Sequence, residues 1–443
     1  MNRKTVSVLL MVSAALWLPA AEWFVDNRAG ADSNGGDRAE AAKKSFSAVA
    51  KLLKPGDTLH IANTEIPYAE SLVLRGNFGL NGKPLTVEGN GAVITGLVPL
   101  DPKKWTVKDN GFFYPVGKHP SNWRLYLYSS GKRLPGCATP ADCTPGSFAR
   151  SDDGLFFRPE EGRTPADYLL ESNLRDSGVL ISSGKNITVR NLISEHNGND
   201  GFNMHGSCHG LRFENIVGRW NGDDGFSIHE DGEAYVAGAE FHDNSYGIED
   251  INLTRTTYSG VRIYGNRTGV HFSGGTHALI ECDFHDNAVS LRVDAGRTAS
   301  YLPEPCEASA FRGECFVKNT RIAGDRDGLT VTGRSTVTVM NSLIHSGGTA
   351  VKLAPGSELY MAGTVLVGEC PIETDKATLF GDRNLFYPDQ MKFDSRTVVL
   401  PEFKKLTGSN ALSISEKPRI EGNSIEPQPF LAKSPRILLG PGF

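Results

Sequence analysis

The sequence carries little charge for its length. Of 443 residues only 22% are Asp, Glu, Lys or Arg, and the formal net charge is −5. No basic footprint for nucleic acid is present. Long apolar runs are scarce too. The single one, Thr5–Leu18, follows Arg3 and Lys4 and ends on Pro19-Ala20-Ala21. That three-part layout is expected of a signal peptide over residues 1–21, and it is too short for a confident membrane span. No cysteine follows the run, so no lipid anchor is expected. The mature chain is expected to be secreted or periplasmic, with no membrane span and no nucleic-acid partner. Cysteine is sparse, at seven, and none has CxxC spacing for zinc. Cys137–Cys143 and Cys306–Cys315 are close enough to staple loops in an oxidising compartment. Cys208, Cys282 and Cys370 lie in or beside strand-like runs and are expected to be buried as small hydrophobes. Helical periodicity is nearly missing; the exception is Phe46–Leu53, FSAVAKLL, closed by Pro55-Gly56-Asp57.

Glycine is abundant, at 49, and short apolar runs alternate with Asn, Asp and Gly turns. From Asn186 the chain reads NITVRNLISEHNGNDGFNMHGSCH and then GLRFENIVGRWNGDDGFSIHEDGE. Asn191 matches Asn215, Asn197 matches Asn221, Asp200 matches Asp224 and His205 matches His229, each at an offset of 24. A fixed period of roughly 20–50 residues means a solenoid or an array. Built from short strands, it means a parallel β-helix, one repeat per coil. Asn197, Asn221, Asn244, Asn266 and Asn287 fall at corresponding turns, where stacked amides satisfy turn backbone groups.

In chain order, residues 22–98 hold a strand, a polar loop, the short helix and the first strands. This order would cap the open end of a solenoid. Residues 99–176 break the coil rhythm and read as a β-rich insertion. Trp105, Trp123, Tyr114, Tyr126 and Tyr128 there suit a small hydrophobic core, or else a surface for stacking sugars. Coils fill 177–373. Residues 374–443 hold the last coils and an extended tail, SPRILLGPGF. The segments FVDNRAGADSN, PGDTLHIA and GKPLTVEGNGAVITG resemble those of secreted right-handed parallel β-helix proteins, the pectin-lyase-like superfamily. The resemblance implies an all-β, right-handed parallel β-helix with a short N-terminal capping helix, and many such proteins act on polysaccharides.

Strand alternation sorts the coil residues. Phe202, Met204, Phe226, Ile228, Ile248, Val270 and Phe272 point inward. Two outward files then follow: Asn203, Ser227, Glu249, His271, Ser290, and His205, His229, Ser273, Arg292. The turn acids Asp200, Asp223 and Asp224 open this face. Outward residues of a solenoid are polar simply because they are wet, but this concentration of His and acids fits a binding or catalytic face. Asp200 and Asp224 should lie ~5 Å apart on successive coils, so one carboxyl pKa should rise. Carboxyl gaps of ~5–5.5 Å suit a retaining glycosidase and ~6.5–9.5 Å an inverting one. The same Asp-Gly pairs also suit turns, Asp as cap and Gly at positive φ. Glu230, Asp231 and Glu233 read as a solvated acidic loop.

NGNDGFN, SCHGLRFENI and NGDDGFSIH are similar to the Asn-x-Asp-Gly-Phe-Asp segment and paired aspartates of polygalacturonases. The resemblance implies that Asp200, Asp223 and Asp224 protonate a leaving group and activate water. It spans about 35 residues. The next coil reads NSYGIED where that family has Gly-His-Gly, and Arg262-Ile263-Tyr264 stands in for its Arg-Ile-Lys. The expectation is therefore a glycoside hydrolase acting on a polysaccharide or oligosaccharide, with Asp200, Asp224 and Asp223 catalytic and no cofactor. His205, His229, Glu249, His271, Asn203, Arg292 and Arg255 would bind substrate. One alternative is a polysaccharide lyase on uronates, with Ca²⁺ on the carboxylates and Arg255 or Arg292 as base. Another is a non-catalytic glycan-binding or surface-structural β-helix. A transition-metal site on His205, His229 and His271 is a further option.

Overall fold

The computed structural model describes residues 20–76, 79–80, 82–117, 124–151, 153–296, 311–418, 420–421 and 424–425. The signal-peptide run, Trp123, Cys306 and the SPRILLGPGF tail lie outside them. Three parallel ladders run the length of the molecule, linked coil to coil. Within one coil the chain passes from a first-ladder strand such as Phe202–His205, to a second-ladder strand such as Leu211–Glu214, to a third such as Val217–Arg219. Each pairs in register with the equivalent strand one coil later: Phe202 with Phe226, Phe213 with Val236, Gly218 with Phe241. The chain is the right-handed parallel β-helix expected.

The turns explain the repeat. The asparagine ladder is present, and all its members are buried. Asn197 Nδ2 donates to Asn221 Oδ1 at 2.8 Å, Asn221 to Asn244 at 3.0 Å, Asn244 to Asn266 at 3.3 Å and Asn266 to Asn287 at 3.0 Å. Each acceptor oxygen also takes the backbone N–H of the preceding ladder Asn, at 2.9–3.0 Å. The residue just before each of these asparagines is left-handed: His196, Trp220, Asp243, Gly265 and Asp286, with φ between 54° and 66°. A Trp held there is strained. It persists because the two flanking ladders fix the turn.

Inward, the coils stack large apolar side chains; Phe202, Phe213, Phe226, Phe241, Phe272 and Phe284 are fully buried. The capping helix is α1, Phe46–Ala50. Ser45 caps it by accepting from Ala48 N at 3.3 Å. Its Phe46 stacks on Tyr68 with centroids 4.9 Å apart and closes the N-terminal end of the core. At the other end lies a helix with no strong sequence signal, α2, Leu400–Thr407. It inserts Leu400 and Phe403 against Phe386 and Phe393.

The stretch after Leu97 leaves the coils and builds two small sheets. One has five strands, including Gly111–Pro115, Ser147–Ser151 and Gly154–Arg158; the other has four, including Leu127–Ser129 and Leu170–Asn173. Trp105 and Tyr114 sit in their own apolar cluster with Leu127, Phe148 and Phe157. These two aromatics are core rather than a sugar platform. Cys137 and Cys143 are both free thiols, which corrects the expected staple. The burial expected of Cys208, Cys282 and Cys370 is found.

Candidate active site

Five successive coils of the first ladder carry the site, with strands Phe202–His205, Asp224–Ile228, Tyr246–Ile251, Thr268–Ser273 and Asp283–Asp294. Their outward file stacks in register as Asn203, Ser227, Glu249, His271, Arg292. Ser290 does not join it. The register places Arg292 beside His271 and Asp294 beside Ser273, so the sequence alternation slipped by one file at this coil. Ser290 is buried and donates to Ala323 O at 2.9 Å.

Asp200, Asp223 and Asp224 converge at the start of this face. One carboxylate oxygen from each lies within 4.8 Å of the others, close enough for their charges to repel. Asp200 and Asp224 are 2% and 3% exposed; Asp223 is half-buried. Asp200 Oδ1 accepts from Asp224 N at 3.1 Å, and its Oδ2 accepts from Asn203 Nδ2 and Asn199 Nδ2. Asp224 Oδ1 is buried without a hydrogen-bond partner, as is Asn203 Oδ1. Burial pushes both carboxyl pKa values well above the usual range. The Asp223 charge adds to this at both, and the Asp200 charge adds to it at Asp224, while the Asp224 backbone N–H works against it at Asp200.

Gly201 and Gly225, which follow these aspartates, do not have positive φ. They are required for another reason: a Cβ on either would lie 2.7 Å from the backbone oxygen of the glycine one coil on. The aspartates therefore sit on a tightly stacked column of glycines.

Beyond the trio, Glu249 accepts from His271 Nδ1 at 2.7 Å, and His271 Nε2 donates to Asp294 Oδ2 at 2.8 Å. Burial works against a charged imidazole here, but the two carboxylate bonds outweigh it and raise the His271 pKa. Asp294 is held down at about 2, its burial outweighed by His271. Arg292 lies 3.5 Å from Asp294 and is half exposed. His205 stacks on His229 with centroids 4.2 Å apart. Burial, reinforced by the His205 imidazole, pushes His229 down to about 4. Ser227 Oγ is 2.7 Å from His229 Nε2. Glu230 is not a solvated loop acid: it is 6% exposed and accepts from Gly206 N at 2.8 Å, 3.5 Å from His205.

Arg255 does not belong to this face. It lies in the second ladder beside Glu233, along a groove of about 730 Å³ with Tyr235, Ala278 and Phe316. Sequence reasoning passed over Asp250. It is fully buried inside the solenoid, where it accepts from Tyr258 OH at 2.9 Å and Thr256 Oγ1 at 2.7 Å, 3.3 Å from His277. The alternation that placed Glu249 outward also placed Asp250 inward, so the signal was available.

A family model described as periplasmic copper-binding protein (NosD) matches residues 126–311. No curated protein matches the chain. Among solved structures, the complex of XylC with xylose aligns at a TM-score of 0.58 and 10% identity, over 89% of this chain and 82% of that one. The pectate lyase Pel9A aligns at 0.40 and 11% identity, over 81% and 78%. The GH136 lacto-N-biosidase from Eubacterium ramulus aligns at 0.41 and 13% identity, over 90% and 67%. Copper does not fit the residues found. Among the described residues the one group of three or more metal-ligating side chains is Asp200, Asp223 and Asp224. That is an all-carboxylate set suited to hard cations, whereas copper favours imidazole and sulfur. His205, His229 and His271 do not converge in this way. No helix among the described residues is long and apolar enough to cross a membrane. The fold, its register and the XylC likeness agree: the chain is a right-handed parallel β-helix.

Proposed function

We propose that the chain is an exported glycoside hydrolase acting on a polysaccharide or oligosaccharide. The observation that carries this reading is the pair of buried carboxyls, Asp200 and Asp224, whose pKa values burial raises, packed within 4.8 Å of the more exposed Asp223. Glycosidic hydrolysis needs one carboxyl that gives a proton and one that takes it. Asp224 gives its proton to the glycosidic oxygen as the C1–O bond breaks, and Asp223 takes the proton of the attacking water. Asp200, bonded to the Asp224 amide, keeps the shared proton in the cluster and does not itself reach substrate. Glu249, which accepts from His271, lies close enough for its charge to raise the Asp224 pKa further. His205, His229, Asn203 and Arg292 lie along the same face for substrate contacts. The neighbouring structure with xylose bound is of the same fold, which supports a sugar ligand.

The lyase reading has one observation in its favour, the three convergent carboxylates, which would hold Ca²⁺ to neutralise a uronate. Its base is the weak point. Arg255 is on another ladder and Arg292 is engaged by Asp294. Asp223→Asn and Asp224→Asn test the proposal on a panel of neutral and acidic polysaccharides. Each should lower reducing-end release by about 10²–10⁴-fold. Activity that survives both substitutions would overturn it.

A further inference from the structure

Where the four-stranded sheet of the insertion docks on the coils, a cleft of about 390 Å³ opens. Arg124, Arg133 and Arg267 line it, with Tyr126, Trp220 and the left-handed turn residue Asp243. Arg133 lies over the Tyr126 ring at 3.5 Å and Arg150 stands 5.8 Å from the same ring. Arg267 donates to Tyr246 OH at 3.2 Å. Among the described residues none of these four guanidinium groups has a carboxylate within 4.0 Å, although elsewhere Arg190, Arg219, Arg262 and Arg321 all do. The cleft's own acid, Asp243, is engaged by His242 Nδ1 at 2.7 Å. Burial lowers the Arg150 pKa, and repulsion from Arg124 and Arg133 adds to it.

Among the described residues the three lining arginines face a single acid, Asp243, and such an excess of like charge is relieved when an anion completes it. An exposed Trp220 edges the cleft, while the Tyr126 ring face is covered by the Arg133 guanidinium. The cleft also adjoins the carboxylates. Its Ser245 amide and the neighbouring Tyr246 amide donate to Asp223 O at 2.9 and 3.1 Å. Tyr246 pairs with Asp224 across the ladder. Arg124 is fixed against the same turn, because a Cβ on Gly222 would lie 2.9 Å from Arg124 O.

We infer that this arginine cleft is a subsite for an acidic sugar residue, one bearing a carboxylate or a sulfate ester, adjacent to the bond that the carboxylates act on. The inference deepens the hydrolase reading and rests on it for the identity of the ligand as a glycan. Guanidinium forks match both anions, so the shared chemistry is a planar or tetrahedral oxyanion on a ring.

The test is calorimetric titration of the Asp224→Asn protein, in which turnover is blocked. Three probes are used: trigalacturonate, its methyl ester, and a sulfated carrageenan tetrasaccharide. One of the charged probes should bind about ten- to a hundredfold tighter than the uncharged ester. Adding Arg133→Ala and Arg267→Ala should abolish that preference while leaving ester binding unchanged; both side chains are exposed, so folding should persist. Preference for the uronate or for the sulfated probe identifies the source of the anion. Equal binding of charged and uncharged probes, or a preference that survives the arginine substitutions, would overturn the inference. The readout is independent of catalysis. Hydrolysis of neutral glycans without charge preference would sink this subsite and leave the hydrolase reading standing. Charge-selective binding by a wild-type protein that cleaves nothing would do the reverse.

Discussion

Asp224 places chemistry and stability in opposition. Its folded-state pKa is raised above the ordinary 3.8, chiefly by burial. Between those two values the folded chain binds more protons than the unfolded chain, so stability falls as pH rises through that window. Asp224→Asn removes the ionisation. It should raise Tm at pH 8, the stability gain being about 1.4 kcal/mol for each pKa unit of elevation removed, and the gain should vanish toward pH 4 while activity is lost at every pH. Thermal melts at both pH values check this. His271 has the same sign of pH dependence, but here the charged form is the one the fold favours. Its raised pKa stabilises the fold below the ordinary 6.5, and that contribution is lost as pH rises through the folded value; Asp294, held at about 2, loses its share only as pH falls toward 2. His271→Ala removes the buried imidazole between Glu249 and Asp294, leaving Arg292 as the cation beside Asp294, and should cost about 2–4 kcal/mol in urea denaturation at pH 6. Single residues were unevenly legible. Asp200, Asp223 and Asp224 stood out because they repeat at the coil period. The reason for Gly201 and Gly225 did not, because a close approach between coils leaves no mark in the sequence beyond the glycine itself.

At the scale of elements, two of the three corners of the coil are held by different physics. The asparagine ladder is buried, and each amide serves two donors of the coil before it. Asn244→Ala strips both partners from Asn221 and should cost about 2–4 kcal/mol. The corner between the second and third ladders is held by left-handed residues: Asn191, Asn215, Gly238, Gly260 and Glu281 occupy it in turn. Asn215→Gly keeps that conformation and loses the exposed Asn215 Nδ2 to Asn191 Oδ1 bond of 2.7 Å, so it should cost no more than about 1 kcal/mol. Denaturant midpoints of the two variants measure the contrast. The ladder was legible because its period matched the strands. Helix α2 was not, since only Leu400 and Phe403 of its eight residues enter the core and such a short pattern resembles the turns around it. Phe403→Ala should cost about 3–5 kcal/mol, read from the same midpoints, if α2 closes the C-terminal end as its packing indicates.

At the scale of the molecule, the solenoid is a straight support on which neighbouring coils hold side chains at a fixed spacing. Its function depends on what the insertion adds. The period showed in the sequence, and with it the fold and the carboxylate face. The placing of the insertion did not show, because Arg124, Arg133 and Arg267 meet only when the inserted sheet docks against coils far along the chain. Arg255 failed for the same reason: outward residues of different ladders look alike in sequence and face different sides. The central claim is that Asp223 and Asp224 hydrolyse a glycosidic bond, and one measurement addresses it most directly. Wild type and Asp224→Asn are incubated side by side with the polysaccharide panel. Reducing ends and the ultraviolet absorbance of unsaturated product are followed together. The account predicts new reducing ends from wild type, no growth of that absorbance, and neither signal from the variant. Absorbance rising with the reducing ends, and disappearing on calcium removal, would contradict hydrolysis and turn the same three carboxylates into a lyase's cation site.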